Sequence, residues 1–186
     1  CRKSTRAISQ VSSIPMASML PNKPKRVVTK IGDVFEVPIS ETEKKYFQLI
    51  AFDLTMLNSD VIRAFKLVVP LDESPKIADI IASGVEFYAH CVTSWGVKDG
   101  SWSKIGKSQD IGSLDHILFR ISSDAGNPQI KVSHNWRVWR VNEDTFRVGT
   151  LKDEYRNAEL GVVFPCISIV ERMKNGYYTI AYPSFE

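Results

Sequence analysis

From Val27 onward, short apolar runs alternate with turn residues at the spacing of a sheet-dominated fold. In "GDVFEVPI" (32–39), Phe35, Val37 and Ile39 share one face, and Pro38, which has no N–H for a ladder, marks an edge or a strand end. "KYFQLIAFDL" (45–54) is apolar on both faces and predicts a central strand. "DVIRAFKLVV" (60–69) resembles it, with Arg63 and Lys66 as exceptions, so three consecutive strands open the domain. The pattern then changes period. In "ESPKIADIIASG" (73–84), Ile77, Ile80 and Ile81 fall at i, i+3 and i+4, which predicts a short helix with Ser74 as N-cap, Pro75 at its first position and Gly84 at its end. "VEFYAHCV" (85–92) returns to alternation, with Val85, Phe87, Ala89 and Cys91 inward and Glu86, Tyr88 and His90 on the other face.

The glycine-rich "SWGVKDGSWSKIGKSQDIGS" (94–113) reads as a long loop with Trp102 as an aromatic plug. It is not a phosphate-binding loop, because Gly100 lies six positions before Gly106 where that motif needs five. "HILFRIS" (116–122) and "QIKVS" (129–133) predict strands around the turn composition "SDAGNP". "SHNWRVWRVNEDTFRVG" (133–149) predicts a β-hairpin. A three-residue loop at Asn142, Glu143 and Asp144 would set Arg147 opposite Trp139, whereas a two-residue loop would oppose Arg140 and Arg147. "KDEYRNAELGVV" (152–163) is ambiguous. "FPCISIVERMKNG" (164–176) reads as a helix from Pro165 to Gly176 with Ile167, Val170 and Met173 buried, or as a strand over "CISIV"; "YYTIAYP" closes the chain as a strand. The sum is one α+β domain over 27–186, a mainly antiparallel curved sheet with two short helices.

Charge divides the chain. Residues 1–32 hold seven basic side chains and no acid, leaving 17 basic against 21 acidic residues in the remainder, so the overall +3 conceals a body of net −4. A mildly acidic body lacks the broad cationic field behind most nucleic-acid affinity. Residues 1–26 read as a disordered or processed basic extension; Cys1 at the start also fits a membrane-anchored lipoprotein, the alternative to a cytoplasmic location. No run reaches the roughly 18 to 20 apolar residues of a spanning helix. Cys1, Cys91 and Cys166 are odd in number and widely spaced, which suits reduced thiols and no zinc site.

Candidate chemistry is sparse. Trp136, Arg137, Trp139, Arg140 and Arg147 are the residue types of a single-stranded nucleic-acid surface, but strand parity splits them: Trp136, Val138 and Arg140 on one face, Arg137, Trp139 and Val141 on the other. An enzyme reading needs His116, His134, Asp115 or Glu86 to converge in a pocket with perturbed pKa values. His90 and Cys91 point to opposite faces and form no dyad. No catalytic residue, metal ligand or cofactor motif is assigned. A protein-binding reading places the contacts at Trp102, Trp139, Glu143 and Asp144, with charged turn residues steering a basic partner and aromatic anchors supplying affinity.

Over residues 29–70, Gly32, Asp33, Val34 and Phe35, then Pro38, a strand beginning near Tyr46 and another near Val61, resemble the immunity protein family 26 of bacterial polymorphic-toxin systems. The resemblance implies a small α+β protein, not an enzyme, that sits in the bacterial cytoplasm and neutralises a cognate protein toxin, often a nuclease.

Overall fold

The computed structural model describes residues 26–186; Cys1 and nearly all of the basic extension lie outside the described residues. Its larger sheet has the order β11-β5-β3-β2-β1-β6, built from β1 (Asp33–Pro38), β2 (Glu43–Asp53), β3 (Ser59–Phe65), β5 (Val85–Cys91), β6 (Ser103–Lys107) and β11 (Val163–Phe164), with the short β4 (Val69–Pro70) also pairing β2. A smaller sheet runs β10-β7-β8-β9, from β7 (Leu118–Ser122), β8 (Trp136–Arg140), β9 (Phe146–Gly149) and β10 (Glu159–Leu160). Pairing is antiparallel except for β11 on β5 and β10 on β7. The helices are α1 (Ile77–Ala82), α2 (Thr93–Asp99) and α3 (Cys166–Asn175), with one 3-10 turn at Asp153–Asn157. This is the expected single α+β domain, with one more α-helix than the sequence pattern predicts and with two sheets.

β2 lies centrally between β1 and β3 and is covered on both faces, as its apolar composition requires. One face carries Phe47 and Leu49, which join Phe35, Ile62, Ala64, Phe87 and Ala89 under Trp102 and the α3 residues Ile169 and Met173. The opposite face is shared. Tyr46, Val34 and Phe65 pack against Ile80 of α1 at one end, and Ile50, Ala51 and Val61 pack against Ile117, just before β7, and Phe119 and Trp139 of the smaller sheet at the other. A register shift between Leu49 and Ala51 makes this possible. Strict alternation would put residue 53 on the face of Phe47 and Leu49; the bulge reverses parity, so Phe52 joins that cluster while Ala51 and Asp53 turn toward the smaller sheet.

Several sequence expectations are corrected. The glycine-rich 94–113 segment contains α2 and β6, because its glycines serve packing and a helix cap. A Cβ at Gly96 would lie 2.0 Å from the Trp102 ring, and Gly100 at φ +83° ends α2 in the left-handed region. Helix α1 begins after Lys76, two residues later than Ser74 and Pro75 suggest, and Gly84 follows its end at φ +85°. Neither "QIKVS" nor "YYTIAYP" is a strand. The one bridge nearby is parallel, from Val132 to Ser184 just past the second segment, and the closing segment instead lays Tyr178 on Phe164 and Tyr182 on Trp136. "FPCISIV" resolves as the last residue of β11 followed by helix, with Gly176 closing α3 at φ +82°; its buried residues are Ser168, Ile169 and Met173, Val170 is partly buried, and Ile167 is exposed.

Candidate functional site

The hairpin fixes the geometry of the site. β8 alternates as parity dictates: Trp136 and Val138 pack with Leu151, Tyr182 and Phe185 on the outer face of the smaller sheet, and Trp139 faces the larger sheet. Pairing with β9 matches Arg137 with Arg147 and Val138 with Phe146, and the strands are joined by five residues, 141–145, in place of the expected three-residue loop. Arg147 therefore opposes Arg137, not Trp139. The like charges are held apart by different acceptors, since Arg137 donates to Thr145 and Arg147 to Asn135 Oδ1. Arg140 donates to the Asp115 carbonyl.

Of the four predicted contacts, Trp102 and Trp139 are corrected to core residues, at 2% and 0% exposure. Trp102 donates its indole N–H to the Thr93 carbonyl and meets Phe47 edge-on at 5.0 Å. Trp139 donates to Asp53 Oδ2 at 3.1 Å, and its ring covers Gly161, where a Cβ would lie 1.8 Å away. Each indole has an apolar cleft to fill and one acceptor to meet, which favours burial over exposure. With Trp136 also buried, neither hairpin indole is free to stack a base. Glu143 and Asp144 are exposed, as expected.

Asp53 was missed by sequence reading, and it organises the tip. Its carboxylate is fully buried. Oδ2 accepts from Trp139 Nε1 and lies 3.0 Å from His90 Nε2; Oδ1 accepts the backbone N–H groups of Met56 and Asn142. Burial pushes the Asp53 carboxyl up, but the hydrogen bonds from His90, Met56 and Trp139 outweigh it and hold the group below its usual range. Burial lowers His90 against the opposing pull of Asp53. A neutral imidazole donating through Nε2 fits the geometry, because Nδ1 is buried without a hydrogen-bond partner among the described residues and a second proton there would have no acceptor.

Around this centre, the turn after β2 and the hairpin tip are joined. Leu54 N–H donates to Asn142 Oδ1 at 2.8 Å, and the Thr55 hydroxyl donates to the Asn142 carbonyl at 3.1 Å. Asn142 adopts φ +63°, a left-handed conformation that asparagine tolerates better than most residues. The outcome is a surface knuckle in which Leu54, 71% exposed, sits beside the acidic turn Glu143–Asp144 on a backbone anchored to a buried carboxylate. The available signals were the lone acid in the apolar run "LIAFDL" and an asparagine opening "NEDT".

The enzyme candidates converge only in part. His116 and Glu86 line a cleft of about 320 Å³ with Tyr88, Asn157 and Glu159, but His134 and Asp115 do not. Tyr88 Oη lies 3.0 Å from His116 Nε2, and Glu86 is held by Lys45 at 2.6 Å. Burial raises Glu159, opposed by Arg172 at 3.8 Å. Burial raises the Tyr88 hydroxyl, which makes it a weaker proton donor, and His116 is exposed in an open cleft. Among the described residues no group of three or more His, Cys, Asp or Glu side chains is placed to hold a metal ion. Cys91 is buried with its thiol pushed well up, and burial lifts Cys166 to about 11, so both are protonated at neutral pH. No described helix is long and apolar enough to cross a membrane. Set against protein-family models, curated proteins and solved structures, the chain matches none.

Proposed function

We propose that this chain is a toxin-neutralising immunity protein that binds a basic toxin, of the nuclease class, through the knuckle formed by Leu54, Asn142, Glu143 and Asp144. The observation that carries the reading is the exposed leucine beside two acidic side chains on a rigid support. An apolar centre with a polar rim is the anatomy of a binding patch, and anchoring both turns to Asp53 removes ordering cost that association would otherwise bear. The acidic turn and the net −4 body attract a cationic partner and speed encounter. The resemblance over residues 29–70 supports the same class, and Leu54 replaces Trp102 and Trp139 as the apolar contact.

The test is co-expression with the toxin domain encoded by the neighbouring reading frame, with growth and direct binding as readouts. The wild-type chain protects. Leu54→Asp combined with Asp144→Lys abolishes protection while thermal stability stays within a few degrees of wild type, because both side chains are exposed (about ±0.5 kcal/mol for surface changes). Equal protection by the double variant would remove the knuckle from the interface. Failure of the wild-type chain to bind that toxin would sink the immunity reading.

A further inference from the structure

We propose that the cavity between the β1–β2–β6 corner and the start of α1 is a binding site for a primary alkylammonium group. It lies toward the end of β2 remote from Asp53 and is independent of the knuckle. Glu36, Tyr46, Ser74, Pro75, Ile77 and Ile105 line about 260 Å³. Glu36 and Tyr46 are cross-strand partners on β1 and β2, so their side chains share one face of the sheet.

Two features of this corner are unexplained by folding alone. Tyr46 is 1% exposed, and its phenol oxygen is buried with no hydrogen-bond partner among the described residues, an arrangement native interiors avoid. The surroundings are also electronegative. Burial, then Glu36 and Glu73, push the Tyr46 hydroxyl up to about 12, so it stays neutral beside two carboxylates. Lys44 Nζ, 2.8 Å from Glu36 Oε2, offsets only one of them.

These features select a ligand. A carboxylate or phosphate would meet Glu36 and Glu73 with like charge. A guanidinium prefers both oxygens of one carboxylate, and Glu36 already gives Oε2 to Lys44 and Oε1 to the Ser103 hydroxyl at 3.1 Å. An ammonium needs only separate single acceptors for its three N–H groups. The Tyr46 oxygen, a second lone pair on Glu36 and the Ser74 hydroxyl provide that chemistry, with Glu73 adding negative potential from outside the lining, and Pro75, Ile77 and Ile105 form a wall for the methylene stem. The same group occurs on a free amine and on a lysine side chain of another protein.

Full-length protein titrated with n-butylamine at neutral pH, followed by NMR of the Tyr46 and Ile105 signals, should show saturable one-to-one binding; n-butanol, the neutral counterpart, should not saturate. Tyr46→Phe removes an unpartnered hydroxyl, so the variant folds at least as stably as wild type and should bind butylamine about tenfold more weakly. Glu73→Gln should weaken binding most at low salt. The peptide acetyl-Ala-Lys-Ala-amide separates the sources: binding at least as tight as butylamine identifies a protein lysine, and binding of butylamine alone identifies a free amine. No saturable binding of either probe, equal binding of n-butanol, or undiminished binding by folded Tyr46→Phe would each overturn the site.

Discussion

Asp53, His90 and Trp139 come from β2, β5 and β8 and meet around one buried carboxylate. Trp139→Ala therefore removes both the ring that fills the space over Gly161 and a donor to Asp53. Urea denaturation should show a loss of about 3–5 kcal/mol, the range for deleting a buried aromatic. His90 predicts a pH dependence of definite sign. Its folded pKa is lowered, so the folded chain declines a proton that the unfolded chain accepts below the ordinary imidazole value of about 6.5. The stability it contributes is fully present above that value and is lost as pH falls toward the lowered folded pKa. Stability measured from pH 7.5 down to 5 should fall more steeply for wild type than for His90→Gln; parallel curves would show that His90 does not titrate with folding. None of this could be read from spacing. The acid was visible in "LIAFDL", but its partners lie 37 and 86 residues away and are brought to it by sheet pairing.

At the scale of elements, what was legible followed from periodicity, and what was not followed from long-range packing. β1, the α1 isoleucines, the β5 alternation and the β8 parity were readable because one side-chain period governs each, and β2 and β3 were readable because both of their faces are apolar. α2 and β6 were hidden because glycine has two uses that look alike in a sequence: it frees the backbone at Gly100, and at Gly96 it makes room for an indole. Gly96→Ala should accordingly cost at least about 1–3 kcal/mol, the range for overpacking a close contact, even though alanine is the better helix former. A neutral or stabilising result in thermal denaturation would show that Trp102 does not lie against α2. α3 supplies the complementary case. Ile167 was expected inside with Val170 and Met173, but the helix is rotated so that Ile169 and Met173 face the core, and Ile167→Glu should leave the melting temperature within about 2 °C, as for other surface changes.

Across the whole molecule, the two sheets are joined by β5, through His90 on Phe119 and Tyr88 against Glu159, and by the change of parity partway along β2. Before the bulge it packs under α1 and α3; after it, the strand turns Ala51 and Asp53 toward β7 and β8. Charge is also arranged at this scale. Residues 33–186 carry 17 basic and 21 acidic side chains, and the knuckle presents Glu143 and Asp144 at the tip of the hairpin. Association with a cationic partner should slow as salt rises from 50 to 300 mM, and reversing both acids to lysine should flatten that dependence while changing dissociation less. Stopped-flow association rates across that range provide the measurement; a wild-type rate independent of salt would remove the acidic turn from the encounter.

The attachment of Asn142 to Asp53 also sets a timetable. The bonds that shape the knuckle span 86 to 89 residues of chain, so they cannot form during synthesis until the hairpin has left the ribosome, nor during refolding until the two sheets have docked. A nascent chain ending before β8 would already contain Leu54 and most of the larger sheet, yet it would lack the partner that fixes the turn. If the knuckle captures a partner as proposed, that competence should appear in a refolding experiment only once the two sheets have docked, after the burial of Phe47 and Leu49.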